Sequence, residues 1–223
     1  MRQPAARPSG RAAKSKRGPA MPDQETRDRF FEQQAEGWEA RNYTPENRDR
    51  LRQMLDSLEL PSEGTVLDVG CGEGVLIPYL RSIMGPEARI IALDPSAAML
   101  QGAAAKGGGA RTIQARAEEI PLENGGADVI ICFAAFPHIQ GKEAAAAEFH
   151  RVLKPGGRAY VLHLGSREEI NAHHDGHQAV RGDHLPCPVG MRKIFSEAGF
   201  AEAGMVLEDE PGRYFFSARK PGP

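Results

Sequence analysis

The sequence predicts an α/β fold: a doubly wound, mainly parallel seven-stranded sheet covered on both faces by helices, with an antiparallel last strand and an N-terminal helical lid. Three observations predict it. From Thr65 onward, short apolar runs alternate with helical patterns, the order that right-handed crossovers and a parallel sheet require. Only Glu210-Pro211-Gly212 separates the last two strands, so they must form a hairpin and one of them must run antiparallel. Two helices precede the first strand.

Residues 23–37 read as the first of these helices, with Phe30, Phe31 and Gln34 at helical spacing. The second has Thr44 as its cap, Pro45 at its first position and Leu51, Met54, Leu55 and Leu58 on one face; Pro61 ends it. Strands follow at residues 65–69, 89–93, 111–115, 128–133, 158–164, 202–207 and 214–218. Helices are expected at residues 74–84, 96–105, 142–153 and 191–198. Gly107, Gly108 and Gly109 break the second of these, and Lys154-Pro155-Gly156-Gly157 turns the chain into the fifth strand.

The 223 residues suffice for one domain, placed at residues 23–223, with residues 23–62 as the lid and 168–187 as a histidine-rich insertion. Residues 1–22 hold six basic residues and no acid, which leaves −8 on the rest of a chain whose total is −2. This tail is rich in Pro, Ala, Gly and Ser and reads as disordered; a nucleic-acid arm, an anionic-surface anchor, a transit peptide and a dispensable extension all fit it. The acidic body would repel a duplex, which disfavours nucleic acid as the substrate. No apolar run approaches the roughly 18 residues of a membrane span. Cys71, Cys132 and Cys187 are widely spaced and odd in number, so a reducing, cytoplasmic setting is expected. Composition does not speak to the oligomeric state.

In a sheet of this kind ligands bind beyond the carboxyl ends of the strands. The first such turn is Asp68-Val69-Gly70-Cys71-Gly72-Glu73-Gly74. Its glycines allow close backbone approach, and the helix after it aims amide donors at the same spot. The spacing fits a nicotinamide fingerprint poorly, because Val75 stands where its third glycine belongs, and no Gly-Lys-Ser/Thr ending marks a P-loop. The second turn supplies Asp94, whose carboxylate can accept both hydroxyls of a ribose.

The run from Val66 to Gly74 resembles the first motif of class I S-adenosylmethionine (SAM)-dependent methyltransferases. Ala92-Leu93-Asp94-Pro95-Ser96 with Met99 is similar to their ribose-binding turn, and residues 115–122 to their adenine-binding segment. Residues 128–139 and 151–157 resemble their fourth strand and the turn into their fifth, so the likeness covers about residues 64–164. It implies a Rossmann-like methyltransferase fold, a lid that closes over cofactor and substrate, SAM as methyl donor and S-adenosylhomocysteine (SAH) as product. It also implies Asp68, Gly70, Cys71, Gly72, Asp94, Pro95, Met99, Ala117, Glu118 and Phe133 as the cofactor site. One departure is Arg116, where many relatives carry an acid that contacts the adenine amino group; an arginine cannot accept that bond.

Methyl transfer needs alignment and exclusion of water, and a base only where the nucleophile must lose a proton. His138, after the fourth strand, is a candidate base or a packing residue, and His163 in the fifth strand a core residue with a satisfied ring. Trp38 and Tyr43 serve either the cofactor or the anchoring of the lid helices. The insertion holds His173, His174, His177 and His184, with Asp175, Asp183 and Cys187 nearby. Three readings stand: a lid whose His173, His174 and His177 act on an organic substrate, a divalent-metal site at His173, His177 and His184, and a solvated loop. The expected activity is methyl transfer from SAM to an unidentified small-molecule acceptor. The alternatives are a SAM-binding protein whose insertion takes a metal or a metal-containing ligand, and nucleic-acid methylation.

Overall fold

A computed structural model describes residues 22–201 and 204–222 of the chain. The expectations for the basic tail fall on residues outside that range, apart from Pro22, as does the start of the expected strand at residues 202–207.

The strands are β1 (Thr65–Val69), β2 (Arg89–Asp94), β3 (Arg111–Gln114), β4 (Ala127–Phe133), β5 (Leu153–His163), β6 (Val206–Glu210) and β7 (Arg213–Arg219). They form one sheet in the order β3-β2-β1-β4-β5-β7-β6. The first five pair in parallel, whereas β7 runs antiparallel to both β5 and β6. The expected seven strands and antiparallel last strand are therefore present.

The helices are α1 (Gln24–Gln34), α2 (Trp38–Asn42), α3 (Pro45–Asp56), α4 (Ile77–Ile83), α5 (Ala97–Ala105), α6 (Lys142–Val152), α7 (Arg167–Asp175) and α8 (Pro188–Glu197). Central strands are buried on both faces, so alternate residues feed two cores. Val66, Ile90, Val129 and Ile131 pack with Leu51 and Leu55 of α3, Leu80 of α4 and Ala103 of α5. Leu67, Ile91, Ile130 and Val161 pack with Phe149 of α6 and Phe195 of α8 on the other side.

Local chemistry explains where the elements differ from expectation. The first helix stops at Gln34 because Gly37 takes a left-handed φ of 69° and starts the separate α2. The helix expected from residue 74 begins only at Ile77, since Gly72 and Gly74 have φ of 52° and 79° and cannot join a right-handed helix. Helix α7 forms inside the polar insertion, nucleated by a capping box between Ser166 and Glu169. Strand β5 begins five residues early: Leu153 pairs with Ala127 ahead of an irregularity in the β4 ladder. Thr44 and Pro45 start α3 as the sequence indicates, with the Thr44 side chain accepting from the Asn47 N–H.

Candidate active site

The carboxyl ends of β1, β2 and β4 open into a cavity of about 410 Å³. Its outer wall is α1, α2 and Tyr43. All ten residues expected at a cofactor site line it, as do His138, Trp38 and Tyr43.

The glycine turn is anchored to the neighbouring strand. Gly70 and Cys71 both donate backbone N–H groups to the Leu93 carbonyl, at 2.8 and 3.0 Å. Asp94 completes the stitch: Oδ2 accepts from Gly72 N at 2.9 Å and Oδ1 from Ser96 N at 2.9 Å. Burial raises the Asp94 pKa despite these bonds. Each oxygen accepts only one of them, which leaves lone pairs for a ligand. Gly70 has a φ of +71°, and a Cβ there would stand 2.3 Å from the Ala135 Cβ, so glycine is required for the β1 and β4 turns to approach. At Gly72 an added Cβ would meet only Met99 Sδ, at 3.9 Å; this part of the turn faces open space.

Asp68 is the unusual group. It is 1% exposed, and both carboxylate oxygens lack a hydrogen-bond partner among the described residues. Burial first, and the Asp94 charge second, push its pKa up to about 8. Burial also pushes the Cys71 thiol up, so it stays protonated beside the cavity. On the far rim Glu118 Oε1 accepts from Gly141 N at 3.0 Å. Arg116 pairs with Asp28 of α1, and Phe133 lies 5.8 Å from the Tyr43 ring.

Helix α1 reaches both ends of the cavity. Glu32 accepts from Ser96 Oγ at 2.6 Å and Ala98 N at 3.2 Å, at the start of α5. Five residues earlier, Arg27 Nε donates to Asp183 Oδ1 at 2.8 Å, with both side chains buried. Asp183 Oδ2 in turn holds His138 Nδ1 at 3.0 Å. The His138 ring packs between Phe31 (4.9 Å) and His174 (4.7 Å). Trp38 packs edge-on to Phe30 and Phe31, so it ties α2 to α1 and lines the cavity at once.

The histidines of the insertion part company. His174 is buried, and its Nδ1 bonds the Asp183 carbonyl. Burial chiefly, then the neighbouring His138, lowers its pKa to about 4. His173 and His177 are exposed, with rings 4.6 Å apart and outside the cavity lining. His184 turns to Asp175 Oδ1 at 2.8 Å. The expected metal set therefore does not assemble: among the described residues no group of three or more His, Cys, Asp or Glu side chains could hold a metal ion. Helix α7 ends at Asp175, so His177 lies past its C-cap with its ring still beside that of His173, and His184 is already engaged. His163 also differs from expectation. It is buried and its pKa falls to about 3 through burial, but its Nε2 finds no partner among the described residues.

Sequence reasoning passed over Arg27, Asp28 and Glu32, and named Asp183 only as a neighbour of the histidines. Arg27 and Asp183 are 156 residues apart, and no local spacing links them.

The family described as a methyltransferase domain matches residues 67–161. The chain is 31% identical to an uncharacterized 37.1 kDa protein in a Streptomyces fradiae transposon, over 69% of this chain and 41% of that protein. It is 31% identical to the ubiquinone/menaquinone biosynthesis C-methyltransferase of Campylobacter jejuni, over 55% of this chain and 54% of that enzyme. The matches thus span about half the length of these curated relatives. Among solved structures, a SAM-dependent methyltransferase of Thermotoga maritima superposes with a TM-score of 0.67 at 18% identity, over 88% of this chain and 98% of that one. At that identity the superposition speaks to the fold. Among the described residues no helix is long and apolar enough to cross a membrane.

Proposed function

From the premise that the chain belongs to the class I SAM-dependent methyltransferases, we propose that it transfers a methyl group from SAM to a small-molecule acceptor bound on the His138 side of the cavity. The observation that carries the reading is Asp68. A carboxylate buried without partners at the rim of a cavity costs several kcal/mol unless a cation meets it. The ammonium group of the methionine portion of SAM is such a cation.

The remaining residues fit the rest of the cofactor. The turn at Gly70–Gly72 would run along the methionine portion, with the open space at Gly72 facing it. Asp94 would take the ribose hydroxyls through its free lone pairs. Pro95 and Met99 would pack on the adenine, with the Ala117 amide and Glu118 at its edge and Phe133 on the opposite side. Cys71 would add protonated, uncharged lining. Bound SAM supplies an electrophilic methyl on a sulfonium. The chain's own work is to hold the acceptor in line and exclude water, for which Phe31, Trp38 and Tyr43 form the outer wall. Residues 168–187 would cover the acceptor, and His174 would pack against the base candidate His138.

Calorimetric titration with SAH at several pH values tests this reading. Because the Asp68 pKa is raised in the unliganded fold, its protonated form stabilises that fold fully below the unfolded value near ~4; this stability is lost as pH rises through about 8. The ligand's ammonium group needs the ionised form, so SAH affinity should rise roughly ten- to fifty-fold between pH 6 and pH 8. Asp68→Asn should flatten that rise. Asp94→Ala should weaken SAH by roughly ten-fold or more. A wild-type chain that does not bind SAH, or binds it with no pH dependence, sinks the proposal.

A further inference from the structure

Asp183 is buried, with 1% of its side chain exposed, and it is nevertheless ionised. Burial works to raise its pKa, but the hydrogen bond and charge of His138, then those of Arg27, hold it below the usual carboxylate range. An ionised carboxylate can only accept hydrogen bonds. Arg27 Nε at 2.8 Å and Gln140 Nε2 at 3.3 Å occupy Oδ1, and His138 Nδ1 faces Oδ2 at 3.0 Å. The hydrogen of that last bond must therefore sit on Nδ1. In the neutral ring this leaves His138 Nε2 as a bare lone pair, and His138 lines the cavity.

His174 shows what sets His138 apart. Its Nδ1 faces the main-chain carbonyl of the same Asp183, so it too carries its hydrogen there. A carbonyl is a neutral partner, His174 is outside the cavity lining, and burial keeps it uncharged. Among the described residues, only His138 combines access to the cavity with a carboxylate placed to stabilise an imidazolium.

We propose that Asp183, clamped by Arg27 of the lid helix, is a positioning residue that fixes His138 as the base for an acceptor whose nucleophilic oxygen or nitrogen still carries a proton. The proposal rests on the methyl-transfer reading above. In the step, the acceptor's lone pair forms a bond to the methyl carbon while the S–CH3 bond breaks and its electron pair stays on sulfur. The acceptor's O–H or N–H proton passes to His138 Nε2, and the resulting imidazolium is paired with Asp183. Products are the methylated acceptor, the thioether and a protonated base that returns its proton to solvent. Arg27 belongs to α1, so the base is oriented by a residue that the lid itself carries.

The test is long-range 1H–15N correlation of histidine side chains in the full chain saturated with SAH, with His138→Gln used to assign the His138 signal. The wild type should show His138 with hydrogen on Nδ1 and bare Nε2. In Asp183→Asn, the amide oxygen is drawn to Arg27, which turns the NH2 donor to His138, so the ring should switch to the Nε2–H form. Asp183→Glu should restore the wild-type form. A wild-type His138 bearing hydrogen on Nε2 overturns the proposal, and this measurement stands even where a variant fails to fold. So does an Asp183→Asn chain that folds with its His138 tautomer unaltered, the result expected if Asp183 merely ties α1 to the insertion. SAH binding is measured on the same samples: a wild type that does not bind it defeats the methyl-transfer reading, whereas an SAH-bound chain with the wrong tautomer defeats only this inference.

Discussion

The two ends of the cavity are built from chain segments of very different separation. The end framed by β1 and β2 comes from two turns about 20 residues apart, held by main-chain bonds to Leu93 and by the Asp94 carboxylate. The end around His138 is drawn from α1, the turn after β4 and the insertion, and is held by side chains that meet across the fold. The first is a property of the sheet edge and exists wherever β1 and β2 pair. The second exists only while α1 is docked. On the proposed reading, alignment of the cofactor would fall to the main-chain frame and recognition of an acceptor to the side-chain assembly.

The sharpest way to break this comparison is to cut the buried tether. Arg27→Met leaves Asp183 buried with only His138 and Gln140 as side-chain partners. Removing one member of a buried ion pair costs about 3–5 kcal/mol, and the two remaining partners should keep the loss near the lower figure. Urea denaturation should show it as a lower midpoint. A variant as stable as the wild type would mean that α1 is held by something other than Arg27.

Gly70→Ala attacks the other end. The new Cβ would meet Ala135 at 2.3 Å on a backbone with φ of +71°, so overpacking and left-handed strain add to about 2–3 kcal/mol. This variant should lose SAH affinity along with stability, because the same turn carries both. Arg27→Met should lose proportionally more stability than affinity. Equal ratios of the two losses in both variants would erase the distinction between frame and assembly.

The same division decides how much was legible in the sequence. The sheet, its hairpin and the turns after β1 and β2 follow from apolar runs, glycines and Asp94, all of which act through neighbours in the chain. Ser166 and Glu169 carried a readable capping signal for α7, and the helix they start fixes which histidine is buried. With that helix in place, His174 turns inward while His173 and His177 face solvent, a choice that spacing alone leaves open because all three lie within five positions. The Arg27–Asp183–His138 array left no local trace. Its members are brought together by the crossover order of the sheet and by the docking of α1, and only tertiary structure specifies either.

Arg116 offers the smallest and most discriminating change. The family resemblance leads one to expect an acid here, but in this chain position 116 is an arginine whose guanidinium pairs with Asp28 of α1. Both side chains are 42% exposed, so the pair sits in high dielectric and is screened by salt. Arg116→Ala should shift stability by less than about 0.5 kcal/mol, a change visible in the urea midpoint only against replicate wild-type curves. The lid's grip on the cofactor end would then rest on Glu32, whose carboxylate takes both Ser96 Oγ and Ala98 N. A loss above about 1 kcal/mol that vanishes in high salt would reverse that assignment. It would make the arginine a clasp between α1 and the adenine-side segment, and would move part of the cofactor end into the class of sites that exist only while the lid is docked.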